Sequence, residues 1–382
     1  MEKELLSSIG KIIERDSKTS TYKFALRRGT IEIALEHSPH VRIQLADNKV
    51  TIPWWLLIEK WLFYYYPIFE SKDFIPQLAG EREHGKIQIA FRKAFAPIIE
   101  FYRSRGGFSS FAHDLQTNGI PTSLKDSFII LCDDIEKTIK KQPMRYLGQS
   151  AAKRYYSIFS YEKGDRKRQV KVASSYSMLN RYGAFFLDAS LYEVFKIMGG
   201  YLAGDASLVF KWAEFTQGLT RKWNKEISAD TVLQILNKAP VSSRDTKYAE
   251  DFYAKLSGRQ GYLYCVWSGK KIRNRAGYHI DHLLPFAVLK NNDFWNLMPC
   301  TTTINSQKSN KIPSPWQFEN AKERICKYWT MLAEHTPDLF QKQLAYHLIG
   351  DYAPNWQEKA VQSIMNMSHY LIEERGFEAW EM

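Results

Sequence analysis

The stretch Tyr278-His279-Ile280-Asp281-His282-Leu283-Leu284-Pro285 decides how this chain is read. The apolar character at positions 278, 280 and 283 fits a short strand that ends at Pro285, and the residues from there to Asp293 read as loop. Asn296 then precedes a second short extended piece that begins Leu297-Met298-Pro299. Thr301 to Lys308 has the makings of a helix, with Thr301 or Thr302 placed to cap its start. Upstream, Tyr262-Leu-Tyr-Cys265-Val-Trp-Ser268-Gly269-Lys270 opens the same unit, so the whole reads as strand, loop, strand and helix.

Asp281 and His282 are neighbours, and on a regular strand they point to opposite faces unless the backbone bends. His279 shares a face with Asp281 under the same assumption. Hydrolysis of a phosphodiester needs a hard cation to neutralise charge on the phosphate and the leaving oxygen, and a base to deprotonate water. Carboxylate and amide oxygens suit Mg²⁺, and imidazole suits proton transfer near neutral pH. Asn305, on the following helix, is placed to complete a cation site with Asp281. An Asp-His pair alone is more often a surface or capping feature; the spacing of all four pieces gives it weight.

Together these residues resemble the HNH, or ββα-metal, nuclease family, including the HNH domain of RNA-guided DNA endonucleases. The resemblance covers roughly fifty residues. It implies that Asp281 is the metal-binding carboxylate, His282 the general base, and Asn296 the middle Asn that braces the loop and orients the base. Asn305 takes the final position, a second metal ligand for which other members use His. Lys308, one turn further on, is expected to touch a phosphate. His279, on the Asp281 face of the strand, reads as a structural or substrate-contacting histidine or as one that assists the metal or the phosphate. Many relatives hold the fold with zinc on two Cys-x-x-Cys knuckles. Here Ser268 and Thr303 stand where the second cysteines would be, leaving Cys265 and Cys300. Two thiolates do not make the four-ligand site that structural zinc prefers, so no structural zinc is expected. Packing of Tyr264, Trp267 and Trp295 is expected to hold the module instead. Ser309 occupies a place where some members carry a further His, which favours a site of oxygen ligands for Mg²⁺ (or Mn²⁺).

The surroundings are basic. Lys and Arg number 53 against 41 Asp and Glu, a net charge of +12 that favours polyanions, nucleic acid or an anionic membrane surface alike. No apolar run approaches the roughly 20 residues that span a bilayer. The opening Met-Glu-Lys-Glu-Leu lacks a signal-peptide pattern, and the four scattered cysteines suit a reducing compartment. A cytoplasmic protein acting away from membranes is therefore expected. Beside the motif, Lys270, Lys271, Arg273 and Arg275 read either as a solvated loop or as backbone phosphate contacts. From Lys141 to Lys171 nine Lys or Arg stand against Glu162 and Asp165, with Tyr155, Tyr156, Phe159 and Tyr161 interleaved. A basic β-hairpin near 150–175 is expected there, its turn at Lys163-Gly164-Asp165. Arg166, Lys167 and Arg168 either meet phosphates or sit on a solvated face while the aromatics turn into the core.

Elsewhere apolar residues return at helical steps in Leu5–Ile13, Tyr22–Ala34, Ile87–Tyr102, Phe128–Ile139, Leu191–Met198, Ala206–Phe215, Thr231–Leu236 and Tyr248–Leu256, with stops at Pro39, Pro67, Gly106-Gly107 and Pro121. Further helices are expected near Phe318–Ala333 and Trp356–Ile372. A chain of 382 residues exceeds one ordinary core. The expected fold is α+β and predominantly helical: residues 1–240 a helical scaffold with a small β-containing insert, and 241–382 an HNH module with core 261–312 and flanking helices 313–382. That last segment carries ten acidic against six basic side chains, and either packs beside the basic module or covers and restrains it. No Gly-x-x-x-x-Gly-Lys-Ser/Thr loop occurs, so any translocation must come from another protein.

By resemblance the expected function is a metal-dependent endonuclease that nicks or cuts DNA, foreign or phage DNA in particular, alone or with protein partners in a multi-component defence system. Two alternatives stand beside it: a nucleic-acid-binding protein whose HNH fold is vestigial, and an RNA-cleaving nuclease.

Overall fold

A computed structural model describes residues 19–146, 158–162, 170–203, 208–221, 226–241, 243–273 and 278–382. Its backbone divides into two compact units, Met1–Pro240 and Val241–Met382.

The first unit is built on an aromatic helix. Helix α1 (Tyr22–Leu35) is followed by a hairpin, β1 (Arg42–Gln44) and β2 (Lys49–Pro53), and then by α2 (Trp54–Glu70). Trp54, Trp55, Trp61, Tyr65 and Tyr66 of α2 are fully buried. Tyr66 stacks on Phe111 with ring centroids 4.8 Å apart, and Tyr65 meets Phe91 edge-on at 4.9 Å. Around it lie α3 (Arg92–Arg103), α4 (Gly107–Gln116) and α5 (Lys125–Lys141), then β3 (Ser160–Tyr161), β4 (Ala184–Asp188), α6 (Ala189–Ala203), α7 (Phe210–Thr220) and α8 (Ala229–Leu236).

Three expectations change here. Pro67 does not stop its helix, because it lies in the last turn of α2, where burial of Ile68 holds the final residues in place. Residues 87–91 are not helical, and α3 begins only at Arg92. The aromatic segment near 160 does not pair within a 150–175 hairpin in the described residues. Ser160 and Tyr161 pair with Phe186 and Phe185 of β4, in a four-stranded antiparallel sheet ordered β1-β2-β4-β3. Ala173 bridges Ile120 instead. Phe159 is buried against Phe185 and serves the core, whereas Tyr161 stays exposed while leaning edge-on against Trp54 at 5.9 Å. The remainder of that expected hairpin, with Tyr155, Tyr156, Arg166, Lys167 and Arg168, lies outside the described residues, as does Leu5–Ile13.

The second unit opens with α9 (Lys247–Gln260), which ends at Gly261 in the left-handed region (φ 75°) that glycine enters without steric cost. A hairpin follows, β5 (Leu263–Tyr264) against β6 (Lys271–Ile272), and then the antiparallel pair β7 (Tyr278–His282) and β8 (Leu297–Thr301). Between β7 and β8 the expected loop contains a helical turn, Phe286–Leu289, started by Pro285 and closed by Lys290 at φ 51°. Helix α10 (Thr302–Lys308) runs on from β8 and packs on both β7 and β8. Thr301 is its N-cap residue by position, but its side chain makes no capping bond and lies 4.0 Å from the Cys265 thiol.

The chain then adds β9 (Ile312–Pro313), α11 (Pro315–His335), α12 (Pro337–Leu344), α13 (Trp356–His369) and β10 (Ala379–Trp380). Ser314 caps α11 through Gln317 N–H, with Pro315 at the first helical position. These elements complete the module's core. Phe318, Ile325, Trp329, Phe340, Ile364 and Trp380 share one buried cluster with Trp267, Trp295, Leu283 and Leu297. Trp329 donates its indole N–H to the Trp295 carbonyl at 2.8 Å, and Trp380 meets Trp267 edge-on at 5.4 Å. Strand β10 pairs in parallel with β9, so the acidic segment is structural tissue of the module rather than a detachable cover. Tyr264 is not in this core: half-buried, it is held by its backbone, whose N–H and carbonyl both bond the Tyr328 hydroxyl.

Candidate active site

Asp281 and His282 end β7 and are both fully buried, paired across the ladder with Met298 and Leu297. The turn after them is held by Asn296. Its side-chain oxygen accepts the Leu284 N–H at 2.8 Å, its amide donates to the Leu284 carbonyl at 3.0 Å, and its own carbonyl takes the Leu283 N–H at 2.7 Å. Two buried backbone groups that would otherwise lack partners are thereby satisfied. Asn296 thus reaches His282 through the turn it fixes.

Both oxygens of Asp281 are engaged. Oδ2 accepts the Trp267 indole N–H at 2.9 Å, and Oδ1 faces the Lys308 ammonium at 3.1 Å. Lys308 also donates to the His282 carbonyl at 2.7 Å. Lys308, expected to touch a phosphate, is buried at 1% exposure and bonded to Asp281 and the His282 carbonyl. A carboxylate sealed from water demands a counter-charge, and among the described residues Lys308 supplies it.

The imidazole of His282 lies between two partners. Its Nε2 is 3.0 Å from Asn292 Oδ1, and its Nδ1 is 3.3 Å from a terminal nitrogen of Arg244. A guanidinium only donates, so Nδ1 must carry the lone pair and Nε2 the hydrogen. Asn292 agrees with that tautomer, because its amide nitrogen donates to the Ser243 carbonyl at 3.0 Å and leaves its oxygen for the ring. Burial pushes the imidazole down to about 4, with the charges of Arg244 and Lys308 adding to the fall and the bond to Asn292 and the nearby Asp281 charge opposing it. His282 is therefore neutral at neutral pH, with its basic nitrogen under Arg244.

These contacts unite Trp267, Asp281, His282, Asn292, Arg244 and Lys308. Asn305 stands outside that hydrogen-bonded set, half-buried on α10 three residues before Lys308. Among the described residues no group of three or more His, Cys, Asp or Glu is placed to hold a metal ion. Asp281 Oδ1 and the His282 carbonyl share a cationic group, the Lys308 ammonium, and Asn305 lies on the helix that carries that lysine. The Cys265 and Cys300 thiols are buried 3.8 Å apart, and Cys265 takes the Thr301 N–H.

Of the expected phosphate contacts, His279, Lys270, Lys271 and Arg273 are exposed, and Lys271 sits 4.7 Å above the Tyr262 ring. Arg275 lies outside the described residues. Arg244 and Asn292 were not legible. Asn292 belongs to an Asn-Asn-Asp run that reads as plain loop, and Arg244 is 38 residues upstream of the histidine it touches.

Residues 265–314 match the family model described as HNH endonuclease, which identifies an HNH domain, a nuclease-type module, around the Asp281-His282 strand and α10. The longer match is to a different description: residues 2–236, more than half of the chain, match Domain of unknown function (DUF8808), and the chain belongs to that family. No curated protein matches it. No helix of the described residues is long and apolar enough to cross a membrane.

Proposed function

We propose that this chain is an endonuclease that hydrolyses DNA phosphodiester bonds, with His282 as general base. The observation that carries the reading is the state of His282: buried, neutral, and held in the tautomer whose lone pair is on Nδ1. In the reaction Nδ1 takes a proton from the attacking water. Asn292 keeps the Nε2 hydrogen and steadies the imidazolium that forms, as a second acceptor does in other histidine bases. Asn296 holds the turn beyond the histidine, so the ring does not need to reorient. Asp281 and Asn305 would hold Mg²⁺ or Mn²⁺, which when bound supplies charge neutralisation at the phosphate and the departing 3′ oxygen. For Asp281 to serve that ion, Lys308 must yield or share Oδ1. The products carry 5′-phosphate and 3′-hydroxyl ends. The cellular target is foreign DNA such as that of a phage, with activity alone or beside protein partners in a defence system, in the cytoplasm.

One observation favours a second reading, a nucleic-acid-binding protein without turnover. Both Asp281 oxygens are occupied by protein donors, one of them a fully buried lysine. Incubating the purified chain with duplex DNA, single-stranded DNA and RNA, in Mg²⁺, Mn²⁺ and EDTA, separates the readings. Divalent-dependent cuts in DNA that a ligase can reseal support the first. Retention of DNA with no cut under either ion supports the second, and cuts confined to RNA move the substrate.

A further inference from the structure

We propose that Arg244 is the residue that grips the scissile phosphate, and that it leaves the base only when that phosphate arrives. The inference rests on the reading of this site as a nuclease. His282 is completely buried, whereas Arg244 is exposed, so the guanidinium covers the basic nitrogen from the solvent side. Its bond to Nδ1, at 3.3 Å and to a neutral ring, is long for a hydrogen bond of this kind. A phosphodiester offers the same guanidinium two anionic oxygens in a geometry that matches its fork, where the ring offers one neutral lone pair. The ion pair draws the guanidinium to the phosphate, and its departure opens Nδ1 to a water at the moment a target is in place.

The surroundings favour a polyanion at this spot. Ser243, next to Arg244, is tied by its carbonyl to Asn292, which itself holds the other side of the ring. The arginine is thus delivered on a backbone anchored to the base it covers. Phe286 packs against His282 with ring centroids 5.6 Å apart, and exposed Lys290 lies 5.1 Å over that phenyl ring. Arg244 and Lys290 place two cations at the mouth of a site whose interior charges, Asp281 and Lys308, already balance.

The test uses the full-length chain and two readouts. Binding of a short fluorescein-labelled DNA duplex is followed by anisotropy in EDTA across a salt series, and cleavage of plasmid by steady-state kinetics in Mg²⁺. Arg244→Ala is expected to weaken duplex binding about tenfold or more and to lower the slope of log K against log salt by about one. It should also raise KM and lower kcat, with millimolar guanidinium restoring part of the cleavage. Arg244→Lys should recover binding more than turnover, because it returns the charge without the fork. Unchanged binding and kinetics in Arg244→Ala, or faster cleavage at unchanged affinity, would overturn the assignment while leaving the nuclease reading intact. If wild type never cuts, yet Arg244→Ala loses affinity and salt slope as stated, the phosphate contact stands and the nuclease reading falls.

Discussion

Replacing Lys308 with methionine tests whether the candidate site is wired as described. The ammonium bonds Asp281 Oδ1 at 3.1 Å and the His282 carbonyl at 2.7 Å, and both side chains are sealed from solvent. Methionine fills the aliphatic volume but leaves the carboxylate, among the described residues, with the Trp267 N–H alone, and leaves a buried carbonyl short of a donor. Removing one partner of a buried ion pair costs about 3–5 kcal/mol. In a unit of roughly 150 residues each kcal/mol lowers the melting temperature by about 3 °C, so a fall of about 10 °C is expected. Adding Asp281→Asn to Lys308→Met removes the orphaned charge and should return at least about 2 kcal/mol, a coupling that independent residues would not show. Urea titrations followed by tryptophan fluorescence give all four corners of the cycle. A Lys308→Met protein of wild-type stability, with weakened DNA binding and a reduced salt slope, would refute the buried pairing and put Lys308 on a phosphate.

Other outcomes follow from the same contacts. Asn292→Leu should lower kcat by about tenfold or more with KM little changed, and Asn292→Asp, which keeps the acceptor for Nε2, should recover most of it; equal losses in both would reject the positioning role. His282 titrates at about 4 in the fold against about 6.5 unfolded, so between those values the unfolded chain binds more protons. Its contribution to stability, about 3 kcal/mol at most, is whole above about pH 6.5 and is lost as the pH falls through about 4. The urea midpoint should accordingly drop over that interval, and drop less in His282→Asn; identical pH profiles would count against a buried neutral ring. Ending the chain after residue 312 strips Phe318, Trp329 and Trp380 from the module core, and insoluble or unfolded protein is expected. A soluble truncation with raised nicking would instead show that the acidic segment restrains the site.

The strand-and-helix frame of the HNH module was legible because its determinants are local. Asp281, His282, Asn296 and Asn305 fall at fixed spacings, and Pro285 and the Asn-x-x-Lys step keep them in register. The direction of Lys308 was not, since one position on a short helix faces solvent or core according to what lies beneath. Here that is a buried carboxylate. Arg244 and Asn292 act through contacts between distant segments that no periodicity records. In the other unit, the strands Arg42–Gln44 and Lys49–Pro53 are too short to alternate convincingly, and their partner Ala184–Asp188 is remote in sequence. Pro67 read as a break because proline usually is one; burial around the end of that helix overrides the local preference.

The most direct test of the central claim is nicking of supercoiled plasmid by equal amounts of wild type and His282→Ala in Mg²⁺, with EDTA controls and duplex binding measured in parallel. Wild type should relax the plasmid only with the divalent ion, and the variant should bind DNA normally while cutting at least about a hundredfold more slowly. Nicking by His282→Ala at the wild-type rate would contradict the account.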